Sequence, residues 1–324
     1  MCLVACGDAP REETSTAVPT SASASASGTG GTGTTTTHGG GESTGPRLDI
    51  GTQDMPPPGT EGCDAVDFLF VVDNSESMAT YQTQLAAEFP AFIDAMYGAL
   101  PSEVSVHVGL TTTDFDAGCA GAEATQGCQS TASLEEVSAH YRRPDEDDDG
   151  GNGTQGRLFE FAGRRYFETT SDDDPADLTA WFADAAVAAG EDGCSFEMPV
   201  AAAGFAAHPA NAAANEGFLR DAGGLLVVFF LTDEPDKSVE SRLVYEEMLV
   251  DAKSECGGTD CIFVSGLIPA CTLDVNQKLW QFITLFDEDP SWGDITQTND
   301  YTAAFGETLA SAIAERCAMI TPAG

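Results

Sequence analysis

The segment FLFVVDNSESMATYQTQL, residues 68 to 85, constrains the fold more than any other part of the chain. An unbroken apolar run, Val66 to Val72 but for Asp67, leads straight into Asp73, Ser75 and Ser77, and a helix-like segment follows. Apolar runs without alternation belong to parallel strands covered on both faces. A strand that turns at once into a helix is the opening of a β-α-β unit. The turn itself carries three small oxygen-bearing side chains in a D-x-S-x-S pattern. Hard divalent cations favour such sets, because every donor is oxygen and room is left for water. A polar strand-to-helix turn with serine as helix cap would use the same residue types.

Strand-like and helix-like segments alternate from Cys63 onward. Tyr81, Leu85, Phe89, Phe92, Ile93 and Met96 fall on one helical face between residues 79 and 98, with Pro90 as a point where that helix would bend. Val104, Val106, Val108 and Leu110 alternate as a second strand ending in Thr111 to Thr113. Residues 115 to 162 read as an irregular insertion, and 164 to 169 as a third strand. Asp174 and Pro175 open a helix reaching about Ala189. An Ala-rich helical stretch at 198 to 222 is broken near Pro209. GLLVVFFL, 224 to 231, is a second strong core strand and ends in Thr232, Asp233, Glu234, Pro235 and Asp236. A helix from about Ser238 to Ala252, a strand from Ile262 to Leu267, and helices at 276 to 286 and 300 to 317 complete the series. The last presents Tyr301, Phe305, Leu309 and Ile313 at four-residue steps.

Such alternation predicts an α/β fold, a doubly wound, mostly parallel, Rossmann-like sheet with helices on both faces. Ligands of these sheets sit beyond the carboxyl ends of the strands, where the strand order reverses. Asp73 and Asp233 both end apolar strands, so the fold class alone directs two distant acidic loops to one rim.

Charge narrows the partners. The chain has 53 acidic and 13 basic residues, a formal charge of −40. That argues against nucleic acid and against charge-driven binding to anionic membranes. No run of 18 apolar residues is present to span a bilayer. Ten cysteines without a C-x-x-C pair point to an oxidising compartment rather than a zinc or thioredoxin-like site. Cys119 and Cys128 bracket a Gly-rich loop, Cys256 and Cys261 bracket CGGTDC, and both pairs read as local disulfides.

The chain is expected to fall into three parts. Residues 1 to 6 hold LVAC, which resembles a bacterial lipobox with Cys6 as the lipidated residue. Residues 7 to 60 are a low-complexity Ser/Thr/Gly-rich tether with nothing to bury, reaching about 40 Å as a flexible coil. Residues 61 to 324 form the folded domain. Together these imply an extracytoplasmic protein anchored by lipid to a bacterial envelope membrane, in contact with the membrane only through that anchor.

VVDNSES and FFLTDEP together resemble the metal-ion-dependent adhesion site of von Willebrand factor A domains, and the likeness covers about residues 64 to 317. G-C-x-F-E at 193 to 197, N-x-G-F-L-R at 215 to 220 and T-D-E-x-D-x-S at 232 to 238 are similar to von Willebrand A lipoproteins of myxobacteria-like bacteria. The resemblance implies one Mg²⁺, Mn²⁺ or Ca²⁺ held by Asp73, Ser75, Ser77 and Asp233. It implies a protein partner whose acidic side chain completes the shell. The family's third loop supplies a threonine, and here GEDGCSFEMPVAAAGF has none, so Ser195 or Glu197 is expected in its place. A third carboxylate would weaken the ion's pull on an acidic partner and suit a Ca²⁺-holding or structural site. In such a fold both termini of the domain emerge opposite the metal rim, which implies a Cys63–Cys317 bond. The same placement implies a Cys194–Cys271 bond.

Asp145, Asp147 and Asp149 open a D-x-D-x-D-G run like the start of a calcium loop, a candidate for a second Ca²⁺, but Gly156 stands where the closing glutamate would. Enzyme signatures are missing: His38, His107, His140 and His208 neighbour no nucleophile in a recognisable setting, and no G-x-S-x-G occurs from Cys63 onward. The reading is a tethered, metal-dependent protein-binding module rather than an enzyme. The alternatives are a metal-dependent hydrolase using Asp73 and Asp233, or a lipoprotein whose ion only staples the fold.

Overall fold

The computed structural model describes residues 62–116, 119, 132–146, 150–273, 277–296 and 301–321, the first eight residues of the last stretch by backbone alone. Cys6, the expected tether, Asp147, Asp149 and Cys128 lie outside the described residues.

Among the described residues six strands form one sheet: β1 (Ala65–Val72), β2 (Ser105–Thr112), β3 (Tyr166–Thr170), β4 (Gly224–Leu231), β5 (Ile262–Ile268) and β6 (Trp292–Asp294). Their spatial order is β3-β2-β1-β4-β5-β6. All neighbours are parallel except β2 and β3. The chain moves outward from β1 to β2 and β3, then returns to the far side of β1 with β4. The order therefore reverses between β1 and β4.

Among the described residues the helices are α1 (Ala79–Ala99), α2 (Leu134–Ala139), α3 (Ala176–Ala188), α4 (Pro199–Ala207), α5 (Arg242–Ala252), α6 (Lys278–Ile283) and α7 (Tyr301–Met319). Alternate residues of β1 serve the two faces. Phe68, Phe70 and Val72 pack with Phe89, Ile93, Phe182 and Ile313 of α1, α3 and α7. Leu69 and Val71 pack with Phe205, Tyr245, Leu249 and Phe282 of α4, α5 and α6. Each face is thus a separate apolar core, as a doubly wound sheet requires. On the first, Phe89 stacks on Phe182 at 3.7 Å between ring centroids, and Phe70 meets both rings. Among the described residues no helix is long and apolar enough to cross a membrane.

Some expectations shift. The Ala-rich stretch is helical only to Ala207, after which a short 3-10 turn follows at Pro209–Asn211. Asn211 and Asn215 account for the break. Their side-chain amides donate to Gln155 O, Phe205 O, Gly156 O and Ala206 O, binding the insertion instead of continuing a helix. The insertion is not wholly irregular: α2 starts with a capping box in which Ser133 and Glu136 bond reciprocally. β6 has only three residues, too short to show as a pattern in sequence.

Cys63–Cys317 is bonded, closing a span of 254 residues at the amino end of β1. Cys256–Cys261 is bonded as well. The other two expected pairs are corrected: Cys119 bonds Cys194, not Cys128, and Cys194 is therefore not the partner of Cys271, which is itself disulfide-bonded. The cause is the turn after β2. Asp114 there accepts the Cys194 backbone N–H at 2.6 Å, which draws the two loops together across 75 residues of sequence.

Candidate metal centre

Parallel pairing sets the geometry. Val72 faces Leu231 in register, and the Asp73 N–H continues the ladder to Leu231 O at 2.9 Å. Asp73 and Thr232 consequently leave the sheet side by side. Asp73 is fully buried. Its Oδ1 accepts the Ser75 N–H at 2.9 Å and its Oδ2 accepts the Thr232 hydroxyl at 2.7 Å. Ser75 Oγ lies 3.0 Å from Ser77 Oγ, and Ser77 Oγ donates to Asp233 Oδ1 at 3.0 Å. The four residues named from the two motifs thus form one continuous polar chain across 156 residues of sequence. Gln82 of α1 braces the turn by donating to Asp73 O and to Gly190 O.

A third loop, 190 to 198, closes over this turn. Gly193 N–H donates to Asn74 O, and the Asn74 amide donates to Asp114 Oδ2 at 2.9 Å. A Cβ at Gly193 would sit 2.6 Å from the Asn74 side chain, so a larger residue there would displace the amide that bonds Asp114. Ser195 offers its carbonyl to the Lys237 ammonium at 2.8 Å. Glu197 is fully buried, with Oε2 accepting the Thr113 hydroxyl and Oε1 without any partner. Lys237 N–H donates to Glu197 O, and its ammonium pairs with Glu234 at 2.5 Å, so Lys237 ties the third loop to the loop after β4. Of the two expected third-loop residues, Glu197 is therefore the one whose carboxylate lies near Asp73 and Asp114.

Electrostatics reflect crowding of one sign. Burial raises the Asp73 carboxyl above its ordinary value, with the Ser75 and Thr232 hydrogen bonds opposing. Burial and then the Asp73 charge push Asp233 to about 6. Glu197 is raised well above its usual range by burial, then by Asp73 and Asp114. Asp114 is raised by burial. Carboxylates held together in low dielectric repel one another, and a cation among them relieves both that repulsion and the desolvation. The donor set is all hard oxygen, and a buried carboxylate oxygen is left unpaired. These residues fit a divalent cation. Among the described residues, no group of three or more His, Cys, Asp or Glu side chains is by itself arranged around a common metal position.

The sequence reading missed Asp114, Asn74, Thr113, Thr232 and Lys237. Asp114 had a legible signal, as an acidic residue just past the alternation of β2. Asn74 and Lys237 had none, because their roles depend on where the third loop crosses. The second candidate loop is different in kind: Asp145 already accepts two hydrogen bonds from Arg143, at 2.9 and 2.8 Å, which lower its pKa.

No protein-family model and no curated protein matches the chain. Among solved structures it is similar to proximal thread matrix protein 1 from the mussel byssus, at 11% identity and TM-score 0.37, covering 80% of this chain and 49% of that one. It is also similar to a von Willebrand factor type A structure from Catenulispora acidiphila, at 13% identity and TM-score 0.34, covering 78% and 42%. The chain thus spans about half the length of these structures or less. The fold assignment, α/β with a doubly wound and mostly parallel sheet, stands on the strand order and pairing of this molecule.

Proposed function

We propose that this chain is a von Willebrand A-like, divalent-cation-dependent protein-binding module. The supporting observation is the convergence of Asp73, Ser75, Ser77 and Asp233 at the switch point, with Glu197 Oε1 buried and unpaired beside them. Asp73, Ser75, Ser77, Asp233 and Glu197 would hold one Mg²⁺, Mn²⁺ or Ca²⁺, with Ser195 the other third-loop candidate. The ion would supply an electrophilic point on the rim for a donor from a partner protein. Cys6 would carry the lipid anchor that places the module outside the cytoplasm, and the Asp145–Asp149 run is a separate candidate for Ca²⁺. Nucleic acid is not a proposed partner.

The buried Glu197 also favours a second reading, in which the ion chiefly stabilises the fold. The two are separated by melting in millimolar divalent ion and in chelator, in high monovalent salt to remove general screening. A ligand at a hundredfold excess over Kd adds about 2.7 kcal/mol, several degrees in Tm. Asp73→Ala with Asp233→Ala should abolish the shift. If that double variant keeps it, the ion binds elsewhere. If the shift is present but no chelator-sensitive partner binding is found, the stabilising reading holds.

A further inference from the structure

The loaded site remains anionic by simple count. Asp73, Asp114, Glu197 and Glu234 are buried and Asp233 is partly so, while the one ammonium among them, Lys237, is already paired with Glu234. A divalent ion offsets half of the charge that remains. Around this centre the exposed rim adds more of the same sign. Glu76 lies between Ser75 and Ser77 and is exposed. Glu191 and Asp192 are exposed and lie between Gly190 and Gly193, both of which bond the Asp73–Asn74 turn, Gly190 through Gln82. Asp294, at the end of β6, acts together with Asp233 on the Tyr81 hydroxyl. Lys237, the ammonium among the buried carboxylates, is committed to Glu234 and to Ser195 O.

Resting on the metal reading above, we infer that the donor this ion takes from a partner is a neutral oxygen, an amide or backbone carbonyl, presented on a lysine- or arginine-rich protein surface. A partner carboxylate would have to approach an over-compensated ion through a ring of carboxylates, and its desolvation would go unrepaid. A neutral carbonyl meets no such repulsion. Flanking cations would meet Glu76, Glu191, Asp192 and Asp294 in complementary pairs, which speeds encounter and fixes orientation. The disposition differs from that of a site with two carboxylates, where the ion keeps net positive pull on an acidic side chain.

The test uses the folded protein loaded with Mn²⁺ and two synthetic peptides, KKGGNGGKK and KKGGDGGKK, carbon-13 labelled at the central residue. Paramagnetic relaxation reads the distance of that residue from Mn²⁺ even at millimolar affinity. Mn²⁺ uptake is measured separately by electron paramagnetic resonance. We expect several-fold greater enhancement for the asparagine carbonyl than for the aspartate carboxyl, abolished by chelator. We also expect the Glu191→Lys, Asp192→Lys variant to lose at least threefold of the enhancement while binding Mn²⁺ as before. Stronger enhancement for the aspartate peptide overturns the inference, as does enhancement of neither peptide with Mn²⁺ uptake intact. No Mn²⁺ uptake at all sinks the metal reading itself.

Discussion

Asp67 shows what a single residue can carry in this molecule. It sits within β1, fully buried, and accepts from Arg220 N–H at 2.8 Å and from Arg220 Nε at 2.6 Å. Lys253, also buried, donates to Arg220 O, and His107 bonds Phe218 O at 2.8 Å. The N-x-G-F-L-R stretch is therefore structural here: Asn215 holds the insertion and Arg220 neutralises Asp67. Removing one partner leaves buried charge unpaired, so Asp67→Ala should cost about 3–5 kcal/mol in urea unfolding. Glu197→Gln should act oppositely in chelator, raising Tm by relieving repulsion from Asp73 and Asp114, and should shrink the shift given by divalent ion. Asp233 sets a pH signature. Its folded carboxyl, lifted to about 6 from 3.8, holds its proton where the unfolded chain has released it. Metal-free stability should therefore fall as pH rises from about 4 to about 6. With saturating divalent ion the carboxylate form is favoured instead, and stability should rise across the same window. Melting curves at fixed ionic strength, with and without chelator, check both signs. Asp73, Ser75, Ser77 and Asp233 were legible as residues because each follows an apolar run. Asn74 and Lys237 were not, since only packing of the third loop gives them a role.

Elements were legible where burial is one-sided in sequence or complete on both faces. β4 announces itself as an unbroken apolar run, β1 as one interrupted only by Asp67, and α1 by its four-residue steps. The sequence could not show β6, which is held by three residues of β5, nor the end of α4, where asparagine amides divert the backbone. Helix packing on the second face depends on a close approach. A Cβ on Gly204 of α4 would lie 2.9 Å from Tyr245 Cβ and 3.0 Å from Tyr245 Cα of α5. Gly204→Ala should force the helices apart and cost about 1–3 kcal/mol despite the better helix propensity of alanine. Tyr245 also hydrogen-bonds Tyr141, so loosened packing should appear as increased hydrogen exchange in the 140s as well as in α5.

At the scale of the molecule, Cys63–Cys317 and Cys119–Cys194 join distant parts of the chain. The entropy of a loop this long gives Cys63–Cys317 a worth of about 5 kcal/mol, so Cys63→Ser with Cys317→Ser should lower stability by that order in denaturant titration. Cys119–Cys194 instead ties the chain after β2 to the third loop, and it was hidden because the short spacing from Cys119 to Cys128 read as a local bond. The fold class itself was fully legible: strand–helix alternation dictated a doubly wound sheet, and the sheet dictated the switch point.

The Cys63–Cys317 bond and the site occupy opposite ends of β1. A pull between a partner gripping the Asp73 turn and the chain entering at Cys63 would run lengthwise along the central strand. The hydrogen bonds to β2 and β4 on either side would then be loaded together in shear, not peeled one at a time. The disulfide passes part of the tension into α7 before it reaches the strand. Force arriving along that line is shared by both ladders of the central strand at once.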